Sequence, residues 1–239
     1  MRKLTTTLII LFFFTNSFEQ SKDSSLKITA LTDSFFIFTT YNLYKGSRIP
    51  ANGMYLVTNS GVVLFDSPWD TTQFQPLLDS IWQKHNKKVV ICIATHFHDD
   101  RTGGLEYYQQ AGIKTYTTKL TDSLSKARGK KRAEFLLDKD SVFTVGQYSF
   151  TTYYPGPGHA PDNIVIWFSK ERILYGGCLV KSVEDDNLGN LGDANVSAYA
   201  TTVKKLRKKC RKPLFVIPGH GDWKSAKSLK HTYDMARRL

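Results

Sequence analysis

Residues 94–104 read ATHFHDDRTGG, and they follow directly on a short, wholly apolar run, VVICIA at 89–94. A run of that length without polar interruption suits a strand covered on both faces. The polar cluster therefore begins where a buried strand ends, the place where loops carry chemistry on a rigid scaffold. On an extended segment residues i and i+2 point to the same side. His96 and His98 can then reach one ion, and Asp100 lies two residues further on in the same phase.

Strand and helix patterns alternate on both sides of this stretch. Residues 26–40 and 53–66 carry β-branched and aromatic residues around a turn at Asn59-Ser60-Gly61, which predicts an antiparallel hairpin or meander. Asp70 or Thr71 caps a predicted helix running to about Asn86, with Phe74, Leu77, Leu78, Ile81 and Trp82 at helical spacing. Further helices are predicted over 103–111, near 119–128, over 196–209 and over 225–238. Strands are predicted around 142–145, 148–154, 163–168 and 172–176, with LFVIPG at 214–219 as another buried strand. Elements in this order predict an α/β or α+β layered fold, with sheets covered by helices. No stretch rich in Gly, Pro or Ser marks a boundary, so residues 18–239 are expected to form one domain.

The first 17 residues are set apart. Arg2 and Lys3 precede an apolar run from Leu8 to Phe14 and the small polar residues Thr15-Asn16-Ser17, the layout of a secretory signal peptide cleaved near Ser17. The alternative, a membrane anchor, falls well short of the roughly 20 apolar residues needed to span. The chain is expected in the periplasm or outside the cell. Its 239 residues are 41% apolar, enough for a core, and carry a net charge of +12. Basic stretches at Lys126–Arg132 and Lys204–Lys212 lack interleaved aromatics and read as solvated helix ends and faces, not as a nucleic-acid site. Cys92, Cys178 and Cys210 are too few for a disulfide framework. They leave open one disulfide with one free thiol, or a cysteine held by a metal.

Three further strand ends carry candidate metal ligands. His159 sits in PGPGHAPDN (155–163), where Gly156 and Gly158 allow close backbone approach; Cys178 sits in YGGCLVKS (175–182); His220 sits in IPGHGDW (217–223). Three imidazoles plus a water make the usual open catalytic zinc site, and an Asp/Cys/His set of Asp100, Cys178 and His220 also suits zinc. The two remaining histidines, His85 and His231, fall on predicted helices and read as surface residues. The Ser-x-x-Lys pattern at 123–126 lacks the partner motifs a serine enzyme needs.

With these motifs the chain resembles the metallo-β-lactamase superfamily, and most closely the class B β-lactamases, from about residue 28 to the end. Most hydrolases of that superfamily read H-x-H-x-D-H. Here Arg101 stands at the sixth position, and the resemblance assigns the missing ligand to Cys178, which selects the subclass with a three-His and an Asp-Cys-His site. It implies a four-layer αββα sandwich of two mixed sheets with two zinc ions per chain at the sheet edge. One would lie on His96, His98 and His159, the other on Asp100, Cys178 and His220. It further implies hydrolysis of the amide bond of penicillins, cephalosporins and carbapenems by a metal-bound hydroxide, conferring antibiotic resistance. Asp100 would orient that hydroxide, Lys181 would pair with the substrate carboxylate and Asn190 would face the β-lactam carbonyl. Residues 41–50 match a flap over the substrate, and Asp66 a buried residue that orients ligands, although a strand-end turn explains Asp66 almost as well. No oligomer is required. The rivals are another hydrolase of the fold, such as a lactonase, thioesterase or phosphodiesterase, and a non-catalytic exported protein that binds zinc or nucleic acid.

Overall fold

The structure, a computed structural model, describes residues 25–138 and 140–239. The predicted signal segment lies outside them. Four strands open the chain as an antiparallel meander: β1 (Leu26–Ala30), β2 (Phe35–Tyr44), β3 (Ser47–Thr58) and β4 (Gly61–Phe65). A short turn of helix whose end is capped by Asp70 leads into α1 (Phe74–His85). Then come β5 (Val89–Ile93), α2 (Asp99–Thr102), α3 (Leu105–Gln110), β6 (Lys114–Thr118), α4 (Lys119–Ala127) and β7 (Phe135–Leu137). The second half holds β8 (Ser141–Val145), β9 (Tyr148–Tyr153), β10 (Val165–Phe168), β11 (Ile173–Gly177), α5 (Val196–Lys209), β12 (Phe215–Pro218) and α6 (Ser228–Ala236).

These strands make two mixed sheets. One runs β1-β2-β3-β4-β5-β6-β7 in chain order, and the other runs β12-β11-β10-β9-β8. The alternation of side chains along each strand explains why they stack. Phe35, Ile37, Met54, Leu56, Val63 and Phe65 of the first sheet meet Phe150, Ile166, Phe168, Ile173 and Tyr175 of the second in a central core. Their neighbours Phe36, Phe38, Tyr55, Val62 and Leu64 face outward and are covered by Phe74, Leu77 and Ile81 of α1 and by Leu105 and Tyr108 of α3. On the other side Val165, Trp167, Leu174 and Val216 are covered by Tyr199, Val203 and Leu206 of α5 and by Leu229 and Met235 of α6. The result is the expected helix–sheet–sheet–helix sandwich. No helix among the described residues is long and apolar enough to cross a membrane.

Two predicted elements differ in detail. The helix expected over 103–111 is shortened to α3, and the unpredicted α2 precedes it; between them Gly104 serves close packing, since a Cβ on it would lie 2.8 Å from the Ser67 side chain. Residues 41–50 are not a separate loop. They prolong β2 and β3 into a hairpin turning at Lys45 and Gly46, both at positive φ (50° and 79°), which matches the twist of a two-residue hairpin.

Candidate metal centre

Four strand ends converge at one edge of the two sheets: those of β5, β9, β11 and β12. Beyond β5 the chain does not stay extended, as the spacing of His96, His98 and Asp100 suggests. His98 (φ −69°, ψ 153°) caps α2, and Asp100 is presented from the first turn of that helix. His96 Nε2 stands 3.1 Å from His98 Nδ1, which stands 3.2 Å from His159 Nε2. One ligand atom from each of these three residues falls within 4.8 Å of the others, as does one from each of His96, Asp100 and Cys178. His220 completes the second group, its Nε2 lying 3.3 Å from Cys178 Sγ and 3.2 Å from Asp100 Oδ2. Cys178 Sγ and Asp100 Oδ2 are 3.3 Å apart. All three cysteines are free and buried.

Hydrogen bonds behind the candidate ligands choose their nitrogens. His98 Nε2 meets Asp193 Oδ2 at 3.1 Å and His220 Nδ1 meets the Pro50 carbonyl at 2.7 Å. An acceptor at each of those positions holds a ring proton there, so His98 Nδ1 and His220 Nε2 are the nitrogens turned inward. Three imidazole nitrogens brought this close suit a shared cation between them. Burial pushes His96 and His159 well below the ordinary histidine range, which keeps them neutral as a metal requires. For His220 burial acts in the same direction, but Cys178 and Asp100 outweigh it and raise the ring to about 9. The second group thus also calls for a positive charge, and the donor set fits zinc.

Arg101 organises the floor of the site, a role its position beside Asp100 does not announce. Its guanidinium is fully buried, donating to Asp100 Oδ2 (2.9 Å), the Asn52 carbonyl (2.7 Å), the Gly219 carbonyl (2.9 Å), Tyr175 OH (3.1 Å) and Asp66 Oδ2 (3.3 Å). Asp66 is buried as well and accepts from Thr95 N (2.7 Å), Thr95 Oγ1 (2.9 Å) and Tyr175 OH (2.7 Å). It links the start of the histidine loop to Arg101. Burial raises the Asp66 carboxyl, with Arg101 pulling against that shift; at Asp100 Arg101 and His220 overcome burial and hold the carboxyl well below its usual range.

A cleft of about 600 Å³ opens over the group, lined among others by Tyr44, Ile49, Trp69, Lys181 and Asn190. Lys181 is buried in its wall, with Nζ 3.8 Å from where a Cβ on Gly189 would lie. Burial lowers its pKa, while Cys178, Asp185 and Asp100 pull it back up. Asn190 is exposed, and its Oδ1 accepts from Gly192 N (3.1 Å), which leaves the amide nitrogen as the free-facing donor end. The β2–β3 hairpin borders the cleft through Tyr44 and Ile49, with the Tyr44 ring 6.2 Å from that of Trp69. His85 and His231 are half-buried, contrary to expectation. His85 Nε2 meets Tyr55 OH (3.1 Å), and His231 Nε2 donates to the Asp185 carbonyl (2.7 Å) in the segment after Lys181. Asp193, Asn52 and Tyr175 had no local signature, since each acts on a partner far away in the chain.

The family model described as "Metallo-beta-lactamase superfamily" matches residues 47–220. A metallo-beta-lactamase type 2 from Elizabethkingia meningoseptica is 43% identical over 237 residues, 98% of this chain and 95% of its own length. Metallo-beta-lactamase IND-1 from Chryseobacterium indologenes is 40% identical over 208 residues, 87% of each. Among solved structures, a metallo-beta-lactamase from Pontibacter korlensis matches with a TM-score of 0.86 at 33% identity, covering 90% of this chain and 100% of that one. IND-7 matches with the same TM-score at 40% identity, covering 91% and 100%. The sandwich, the converging strand ends and these likenesses over nearly the whole length agree: the chain belongs to the metallo-β-lactamase superfamily.

Proposed function

We propose that this chain is an exported zinc β-lactamase that opens the amide ring of penicillins, cephalosporins and carbapenems and so confers resistance to them. The observation that carries this reading is the convergence of four inward-facing imidazole nitrogens, one thiol and one carboxylate beneath a single cleft. His96, His98 and His159 would hold one zinc, and Asp100, Cys178 and His220 a second. Zinc, when bound, brings the pKa of water from about 15.7 towards 7 and polarises a carbonyl and its leaving nitrogen.

The chain's own residues then set the geometry. Lys181 supplies a buried positive charge to the carboxylate that β-lactams carry beside the ring nitrogen, and so fixes the ring over the ligand cluster. The Asn190 amide donates towards the carbonyl oxygen as charge develops on it, the task of an oxyanion hole. Asp100, held ionised by Arg101, accepts a proton contact from the attacking water and orients it. Tyr44, Ile49 and Trp69 exclude solvent from the substrate's apolar side. The enzyme works as a monomer, residues 18–239 forming its one domain after removal of residues 1–17.

Hydrolysis of a carbapenem by the purified protein, before and after zinc is stripped with a chelator, tests the reading. Activity is expected only with zinc, and full activity in its absence would overturn it. Cys178→Ser is expected to lower zinc content from two per chain towards one and to cut turnover sharply. Unchanged zinc content in that variant would remove Cys178 from the ligand set.

A further inference from the structure

Between Asp193 and Asp222 the chain carries no acidic residue, yet seven of the nine residues from Lys204 to Lys212 are lysine or arginine. Five of them lie on α5, whose buried side is Tyr199, Thr202, Val203 and Leu206. At 3.6 residues per turn those five spread over an arc of about 200° centred opposite the buried side. All seven are exposed. Among the described residues none is joined to a carboxylate in an ion pair; Asp234, near the edge of this face, is taken up by Lys230. The basic face continues past α5. Lys212 accepts a hydrogen bond through its carbonyl from Arg172 Nε (2.8 Å), in the β10–β11 turn, and next to it the apolar Leu214 is 54% exposed.

We propose that this face docks on a membrane surface rich in anionic phospholipid. Four to eight cations on one face of an amphipathic helix form the pattern that gathers acidic headgroups. The charges cover a convex surface, which suits headgroups that are free to collect under each cation. A single nucleic-acid strand would need exposed rings to stack on, and residues 204–212 contain none. Two nearby rings are already used from within, Tyr233 under Arg207 (4.9 Å) and Tyr153 under Lys209 (5.7 Å).

Placement supports the assignment. α5 starts beside the cleft, where Asn195 N donates to the Gly158 carbonyl (2.8 Å) next to His159. It runs about 20 Å to the opposite end of the second sheet, where Arg172 precedes β11 and Leu214 precedes β12. The ligand-bearing ends of those two strands lie at the other side. Docking through the basic end therefore leaves the cleft mouth facing away from the bilayer.

Flotation of the zinc-loaded protein with phosphatidylcholine vesicles, with and without phosphatidylglycerol, tests the proposal at low and high salt. Binding is expected only to the anionic vesicles and is expected to vanish at high salt. Each cation brought to such a surface tightens partition by about fivefold. The variant Lys204→Gln/Lys208→Gln/Arg211→Gln should therefore bind about 100-fold more weakly. Lys84→Gln/Lys87→Gln/Lys88→Gln, which removes the same charge at the end of α1, should keep most of the binding. Equal losses in the two variants would mean that net charge alone attracts the protein, and would overturn the proposal. So would an absence of binding at low salt, or a DNA duplex that competes the protein off the vesicles at equal charge concentration.

Discussion

Arg101 shows how much one side chain can hold. Its partners Asn52, Asp66, Tyr175 and Gly219 lie 49, 35, 74 and 118 residues away in sequence, yet all meet one buried guanidinium. Five donors in a planar fork suit that task, and a lysine ammonium does not reproduce it. Removing one member of a buried charge cluster leaves the others unpaired, at a cost of about 3–5 kcal/mol. Arg101→Met is expected to lose that much stability in urea unfolding of the zinc-free protein, and Arg101→Lys to recover little of it. A loss below about 1 kcal/mol in the first variant would contradict the hub. The metal-binding residue types were legible in the sequence because histidine, cysteine and aspartate stood beside glycines at strand ends. Arg101 was legible only as a departure from the H-x-H-x-D-H pattern expected of the wider superfamily.

Elements were legible where their local signals agreed. α5 occupies the predicted 196–209, because Asn195 caps its start by accepting from Ala198 N (3.0 Å) and its apolar spacing is regular. The helix predicted over 103–111 forms as the shorter α3, and the four-residue α2 before it went unpredicted. The Ser67 and Phe74 side chains that crowd Gly104 belong to other segments and leave no local trace. The short β7 went unpredicted, since three residues carry too little periodicity to register. Gly53 is a case of close approach within a sheet. It pairs with Phe38 across β2 and β3, and a Cβ on it would fall 1.9 Å from the Phe38 ring. Gly53→Ala is expected to destabilise the protein by about 1–3 kcal/mol through overpacking. Adding Phe38→Leu should recover part of the loss, the non-additivity expected of touching residues. Thermal unfolding of the two single variants and the double variant measures this, and strict additivity would refute it.

Across the fold, one buried carboxyl joins two of the three histidine-bearing loops and gives the protein a pH-dependent stability. Asp162 Oδ2 accepts from Phe97 N (2.9 Å), tying the His96–His98 loop to the His159 loop, while Oδ1 is buried with no partner. Burial raises this carboxyl to about 6, against a softer downward pull from Thr121 and Phe97. A folded-state value above the unfolded one means that the stability is fully present below about pH 4 and is lost as pH rises through about 6; the gap corresponds to about 3 kcal/mol. Measured against Asp162→Asn in zinc-free protein, the wild-type chain is expected to lose about 2–3 kcal/mol between pH 4 and pH 7. A difference between the two proteins that does not change with pH would sink this account.

Residue type, periodicity and glycine placement are properties of short stretches, so the chain alone determined a layered fold of sheets covered by helices, the strand ends that bear chemistry and the six candidate ligands. Residue chemistry already drew the two candidate sets, whereas the αββα order of layers and one zinc for each set needed the likeness to a family. Folding settled the rest: Asp193 and Pro50 choose which ring nitrogens face inward, Arg101 braces Asp100, and Asp162 locks two loops together. These are contacts between segments tens of residues apart, and they exist only once two independently patterned sheets have stacked.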